Sequence, residues 1–360
     1  MSWTNWALKR YRRLRAGPTP FFVSVELVNV CNLHCAYCFR DEDMLYGKAA
    51  YLETGRLLSL AENLPSRLRP TTFSFTGGEP ALHPEFGTIV RGLAARGATY
   101  SFVTNGWHFE RIADAVTSTR GALTSFCFSL DGATAEEHDS VRGAGSFERL
   151  VAAATRAREA ALPFQVNIIL RKETLPRMEA LALFAARLGA RCVNFGTLLP
   201  TSVAAHETWG VSWAQETLAR EEVMELRRAL APQVEVVAGL FDPAPGAHCR
   251  PLAGTGLNVD YRGRVTLCGN LSSYRNSPTP LGLEAPPGAE SITLGAAFDA
   301  LRPAALNSLQ TRDAELARVR AAGQPADPVQ GSPCLSCLNH FGKLPKDLVA
   351  VLRSGEGRRI

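Results

Sequence analysis

Three cysteines, Cys31, Cys35 and Cys38, fall within the run Val28-Asn-Val-Cys-Asn-Leu-His-Cys-Ala-Tyr-Cys38. Thiolates at C-x3-C-x2-C spacing can wrap one iron–sulfur cube and leave its fourth iron without a protein ligand. Such an open iron can bind a substrate or cofactor directly. The competing reading is a zinc knuckle with His34 as fourth ligand, although its place between Cys31 and Cys35 suits tetrahedral closure poorly. Four further cysteines lie towards the C-terminus. Cys249 and Cys268 bracket one segment, and Cys334 and Cys337 form a C-x2-C pair, a spacing that serves iron and zinc alike. The remaining two of the nine, Cys127 and Cys192, sit inside apolar runs and read as small hydrophobes. A carboxylate, Glu79, stands in Thr76-Gly-Gly-Glu-Pro80, where Gly77 and Gly78 let backbone approach a ligand closely and Pro80 stiffens the exit.

These groups need elements to hold them together. Short β-branched and aromatic runs at 21–27, 71–75, 99–103, 123–130, Phe164–Leu170 and 191–195 read as strands, with helical stretches such as Met178–Leu188 between them. The alternation predicts right-handed βαβ units and a parallel sheet. Ligands collect at the carboxyl ends of such strands, where the cysteine loop, the Gly-Gly-Glu-Pro turn and Thr104-Asn-Gly106 all fall. After about Pro200 the pattern changes. A helix over 214–231 leads to an apolar run at 234–237, and 257–260 with 264–267 read as a hairpin around Tyr261-Arg-Gly263. A helix follows near 296–301, and 271–290 and 321–333 read as loops. At the N-terminus, Trp3, Ala7, Tyr11 and Leu14 share one face of an amphipathic helix, expected to pack on the domain rather than on a membrane.

The cysteine run, with the aromatic Tyr37 before its last cysteine, and the Gly-Gly-Glu-Pro turn one βα unit later resemble the signature of the radical S-adenosylmethionine (SAM) superfamily. The resemblance covers residues 20–200 and implies an α/β fold, a partial (β/α)6 barrel. It implies a [4Fe–4S] cluster on Cys31, Cys35 and Cys38, SAM chelated at the open iron, and cleavage to a 5′-deoxyadenosyl radical. Tyr37, Gly77, Gly78 and Glu79 would then border SAM, with Glu79 taking its amino group. Asn105, Ser129 and Arg142 sit at positions resembling the ribose and carboxylate contacts, Arg142 by paired bonds. Residues 247–340 resemble the extensions called SPASM and twitch. No cysteine follows Cys337, which favours the shorter twitch form, with an auxiliary [4Fe–4S] cluster on Cys249, Cys268, Cys334 and Cys337. The implied domains are an N-terminal helix (1–19), the radical SAM core (20–232), a small twitch-like domain of hairpin plus helix (233–345) and a C-terminal tail (346–360).

Composition narrows the partners. The net charge is +5, and Lys9, Arg10, Arg12, Arg13 and Arg15 carry that much by themselves, so no nucleic-acid surface is implied. Nine cysteines in 360 residues are too few for a disulfide scaffold. No signal peptide and no run of ~20 apolar residues is present, and a cytoplasmic metalloprotein is expected. Within the family the chain resembles enzymes of the 2-deoxy-scyllo-inosamine dehydrogenase type. That implies oxidation of a small molecule in natural-product biosynthesis, an auxiliary cluster that accepts an electron, and a flavodoxin- or ferredoxin-type donor. Maturation of a ribosomally made peptide ranks second, because only thirty residues precede Cys31, too few for a leader-binding domain. A zinc-stabilised, non-catalytic binding protein ranks third.

Overall fold

Parallel strands carry the molecule. The computed structural model describes residues 21–40, 45–64, 70–239, 255–274, 294–323 and 328–354. The strands are β1 (Phe21–Val28), β2 (Thr71–Gly77), β3 (Thr99–Thr104), β4 (Leu123–Ser129), β5 (Phe164–Leu170), β6 (Cys192–Thr197), β7 (Glu235–Gly239), β8 (Gly256–Val259) and β9 (Val265–Thr266). They form one unclosed sheet in the order β7-β6-β5-β4-β3-β2-β1-β8-β9. Every pairing is parallel except the last, between β8 and β9. The connecting helices are α1 (Thr54–Glu62), α2 (Phe86–Ala95), α3 (Glu110–Ser118), α4 (Ala135–Arg142), α5 (Ser146–Glu159), α6 (Met178–Leu188), α7 (Val203–Trp209) and α8 (Trp213–Leu230). The C-terminal part adds α9 (Gly269–Ser273), α10 (Leu294–Ala321), α11 (Pro328–Gly331), α12 (Pro333–His340) and α13 (Lys346–Ser354).

The period-two pattern of the strands divides the sheet into two unlike faces. Phe73, Phe75, Tyr100, Phe102, Phe126 and Phe128 are all fully buried, and rings stack or meet edge to face along this side, Phe75 on Tyr100 at 6.0 Å and Phe102 on Phe126 at 4.7 Å. The alternate positions are small and polar, and they satisfy one another across the strands. Ser101 Oγ donates to Ser74 Oγ at 2.9 Å, and Asn194 Nδ2 to Asn167 Oδ1 at 2.6 Å. An aromatic outer face is thus sealed by helices, while a polar inner face keeps room for a ligand.

The sheet is wider than six strands. β7 adds a seventh parallel strand beside β6, and the expected hairpin joins the other edge through β8 on β1. Leu257 and Val259 lie beside Val23 and Val25 and continue the apolar face, covering a β1 edge that would otherwise present unpaired backbone. The helix expected near 296–301 runs instead as α10 over Leu294–Ala321, α11 lies within the expected loop 321–333, and the segment from 346 begins with α13. The N-terminal amphipathic helix and Cys249 lie outside the described residues.

Candidate active site at the thiol-lined mouth of the sheet

β1 delivers the cysteine loop to the mouth of the sheet, and backbone contacts tie the loop down. Asn29 donates to the Lys48 carbonyl at 3.0 Å and accepts from the Ala50 N–H at 2.7 Å. The Cys31 N–H reaches the Leu45 carbonyl, and a tight turn brings the Cys38 N–H to the Cys35 carbonyl at 3.0 Å. All three thiols are half-buried. Burial, reinforced by Glu79, Cys35 and Cys38, pushes the Cys31 thiol up to about 12. Thiolates crowded in this way need a cationic partner, which a metal centre provides. Among the described residues no three His, Cys, Asp or Glu side chains converge tightly enough to grip one ion. Thiolates on three corners of a four-iron cube stand farther apart than the ligands of a single ion. His34 stacks on Tyr46 with ring centroids 3.9 Å apart rather than joining the thiols.

The end of β2 crosses directly over this loop. Gly78 N–H donates to the Val28 carbonyl at 2.9 Å and Glu79 N–H to the Val30 carbonyl at 3.0 Å. A Cβ on Gly77, whose φ is +133°, would lie 2.2 Å from the Val28 oxygen, and one on Gly78 would lie 1.8 Å from that of Val30. The two glycines line the cavity, but the backbone they admit closely is that of the cysteine loop, where the sequence suggested a ligand. Glu79 is 1 % exposed. Its Oε1 accepts from Ala81 N–H at 3.1 Å and Thr104 Oγ1 at 2.8 Å, and its Oε2 from Asn105 N–H at 2.8 Å. Burial still holds its carboxyl above the usual range, so a cation arriving at it would favour the ionised form. Asn105 Nδ2 donates to Asn32 Oδ1 at 3.1 Å and lies 3.8 Å from Cys31 Sγ.

Arg142 is held by partners within the protein. It leaves the last turn of α4 and is 8 % exposed. Its Nε pairs with Asp131, its Nη2 donates to Tyr37 Oη at 2.8 Å, and its Nη1 lies 3.7 Å from Cys35 Sγ. Tyr37 Oη donates in turn to Asp131 Oδ2 at 2.6 Å, and Arg171 Nη2 reaches Asp131 Oδ1 at 3.3 Å. The Arg171 guanidinium also lies over the Tyr37 ring, 4.8 Å from its centre. Burial opposes ionisation of Asp131, but Arg142 and Arg171 overcome it and hold the carboxyl below its ordinary value. The guanidinium expected to pair with a ligand carboxylate is therefore bonded to a carboxylate of the protein. Asp131 and Arg171 carry no motif in the sequence, and His138, whose Nδ1 accepts the Asp131 N–H at 3.2 Å, lies near the expected chemistry there without a role. The available signal was position, since Asp131 and Arg171 follow the ends of β4 and β5.

A cavity of about 370 Å³ gathers the sequence-chosen groups: Cys31, Cys35, Cys38 and Tyr37 from the loop, Gly77, Gly78 and Glu79 at the end of β2, Asn105 after β3, Ser129 at the end of β4 and Arg142 from α4. Arg40 and Asn270 also line it. Arg40 pairs at 3.6 Å with Glu26, a fully buried carboxyl that burial pushes upward against the pull of Arg40. Asn270 Nδ2 donates to Cys334 Sγ at 3.5 Å. Cys268 is the N-cap of α9 and Cys334 lies in the first turn of α12. Contact between α9 and α12 thus brings two of the C-terminal cysteine segments to the rim of the site.

Strand ends converging on three thiols of one loop define an iron–sulfur class of α/β protein. The chain belongs to the radical SAM superfamily, which residues 25–185 match. It is 30% identical over 260 residues to the mycofactocin maturase MftC of Mycobacterium tuberculosis, covering 70% of this chain and 62% of that protein. It therefore spans about three fifths of the length of that relative. To the PqqA peptide cyclase of Ruegeria pomeroyi it is 26% identical over 358 residues, 94% of this chain and 93% of that one. The fold superposes on polyhistidine-tagged anSMEcpe with bound AdoMet at a TM-score of 0.64, with 16% identity, covering 81% of this chain and 84% of that one. Among the described residues no helix is long and apolar enough to cross a membrane.

Proposed function

We propose that the chain is a radical SAM oxidoreductase that matures a ribosomally made peptide by net two-electron oxidation at a carbon, forming a crosslink or another C–H modification. The observation that carries this reading is the likeness to a peptide cyclase running nearly end to end in both proteins. It reverses the ranking drawn from sequence, which placed small-molecule oxidation first. That ranking leaned on the few residues before Cys31, yet a leader segment can be presented by a separate protein.

In this reading Cys31, Cys35 and Cys38 hold a [4Fe–4S] cluster. Glu79, already oriented by Ala81, Thr104 and Asn105, accepts the amino group of SAM. Asn105 and Ser129 border its ribose. Arg142, anchored by Asp131, reaches Tyr37 and Cys35 directly and so braces the loop. When bound, the cluster and SAM supply one-electron chemistry that removes a hydrogen atom from an unactivated carbon. Cys249, Cys268, Cys334 and Cys337 hold an auxiliary [4Fe–4S] cluster, and a flavodoxin- or ferredoxin-type protein donates electrons. Four thiolates leave that cluster no open iron for substrate, which suits it to electron acceptance. Asn167, on the cavity floor, offers an amide to a peptide backbone.

The test is anaerobic reconstitution with SAM, dithionite and a short precursor peptide encoded beside the gene. Mass spectrometry should find the peptide lighter by the mass of two hydrogens. An unchanged peptide together with oxidation of a small alcohol would return the chain to small-molecule chemistry.

A further inference from the structure

A second cavity, of about 250 Å³, lies behind the carboxyl end of β6 and shares only Thr197 and Leu198 with the thiol-lined one. Its walls come from α7, the start of α8 and the C-terminal helices α11, α12 and α13. Most of the wall is apolar, with Val211, Trp213, Leu335 and Leu352 contributing. Trp213 is held in place: Arg220 lies over its ring at 5.3 Å, and Gly331 packs so closely that a Cβ there would meet the ring at 2.4 Å.

One acidic group stands out against this wall. Glu216, in the first turn of α8, is 8 % exposed and lines the cavity. Among the described residues its carboxylate has neither a hydrogen bond nor an ion pair. Arg220, one turn along, acts on it only at longer range, and burial pushes its carboxyl up to about 7. A buried carboxyl without a partner is costly, and such a group is retained where something else completes it. The nearby basic groups do not neutralise it: Lys172 Nζ donates to the Glu207 carbonyl, and burial lowers His206. A metal ion is a poor match, because hard cations gather several oxygen ligands and this cavity offers one carboxylate.

We propose that this cavity binds an organic cation with an apolar body, an alkylammonium or alkylguanidinium, whose head pairs with Glu216 and whose chain lies against Val211, Trp213 and Leu352. The helix that begins at Ser332 and carries Cys334 and Cys337 forms part of the wall, so an occupied cavity braces that helix against α8. The site borders the thiol-lined cavity at Thr197 and Leu198 but does not depend on which substrate binds there.

Calorimetric titration of the full-length reconstituted protein with n-pentylammonium tests this, with 1-pentanol and pentanoate as neutral and anionic probes. Pentylammonium should bind saturably, Glu216→Gln should weaken it by about tenfold or more, and pentanol should bind both proteins alike. On the unmodified protein, pentylammonium should also tighten between about pH 6 and about pH 8, as the carboxyl ionises. Lys172, His206, Glu207 and Arg220 are the other charged or titratable groups around it, and truncating His206 to Ala should leave that trend in place. Absence of saturable binding, equal affinity in the Glu216→Gln protein, or preference for pentanoate would each overturn the proposal.

Discussion

Asp131 balances two buried guanidinium groups while accepting the Tyr37 hydroxyl, and its place just beyond β4 makes it the tie between sheet and cysteine loop. Replacing it by Asn leaves Arg142 without its carboxylate and Arg171 with only the half-exposed Glu173. The fold should lose on the order of 3–5 kcal/mol, read by denaturant unfolding, and a loss well under 1 kcal/mol would contradict the clamp. Because the folded carboxyl is lowered, its contribution is present above the usual carboxylate range and lost as pH falls through the lowered value. Two other buried groups titrate in opposite directions. Burial, with Arg142, takes His138 from 6.5 to about 4, so its contribution is present above 6.5 and lost as pH falls towards 4. Burial takes Glu216 from 4.5 to about 7, so its contribution is present below 4.5 and lost as pH rises towards 7. Each amounts to about 3 kcal/mol, and over the shared range they offset one another. The His138→Gln protein should therefore gain stability on acidification and the Glu216→Gln protein should lose it. Unfolding curves for both variants that track the parent across this range would sink the argument.

At the scale of elements, the crossing of β2 over the cysteine loop is the contact least tolerant of change. A methyl at Gly78 has no room beside the Val30 carbonyl, so Gly78→Ala should displace the loop. Iron content after reconstitution should fall several-fold while far-ultraviolet circular dichroism stays near native, since the aromatic outer face is untouched. Normal iron loading would refute this. Much of the element pattern was legible in the chain. Six strands fell where β-branched runs place them, and Met178–Leu188 matched at both ends because its apolar spacing is helical and Gly189 stops it in a left-handed turn. What escaped was tertiary. Nothing local in 256–259 says that it lies parallel to β1, a pairing that depends on apolar residues far apart in sequence. Likewise, the site cysteines and Glu79 were readable from motif, whereas Asp131 and Arg171 gain meaning only when two strand ends meet.

For the whole molecule, the sheet supplies a rigid mouth, and the C-terminal segment returns to it twice, through β8 on β1 and through Asn270 on Cys334. In the proposed reading, that arrangement sets an electron acceptor at the rim of the site. Changing Cys334 and Cys337 to Ala should leave some SAM cleavage yet remove the oxidised product, followed by chromatography of 5′-deoxyadenosine and peptide together. A folded variant giving full product would demote the cluster to a structural role or favour zinc there. The central claim, that Cys31, Cys35 and Cys38 are the seat of radical chemistry, is reached most directly by measuring 5′-deoxyadenosine from SAM and dithionite in the reconstituted protein and in its triple alanine variant. The parent should form it, and the variant should form none above background. Undiminished SAM cleavage without those three thiols would contradict it.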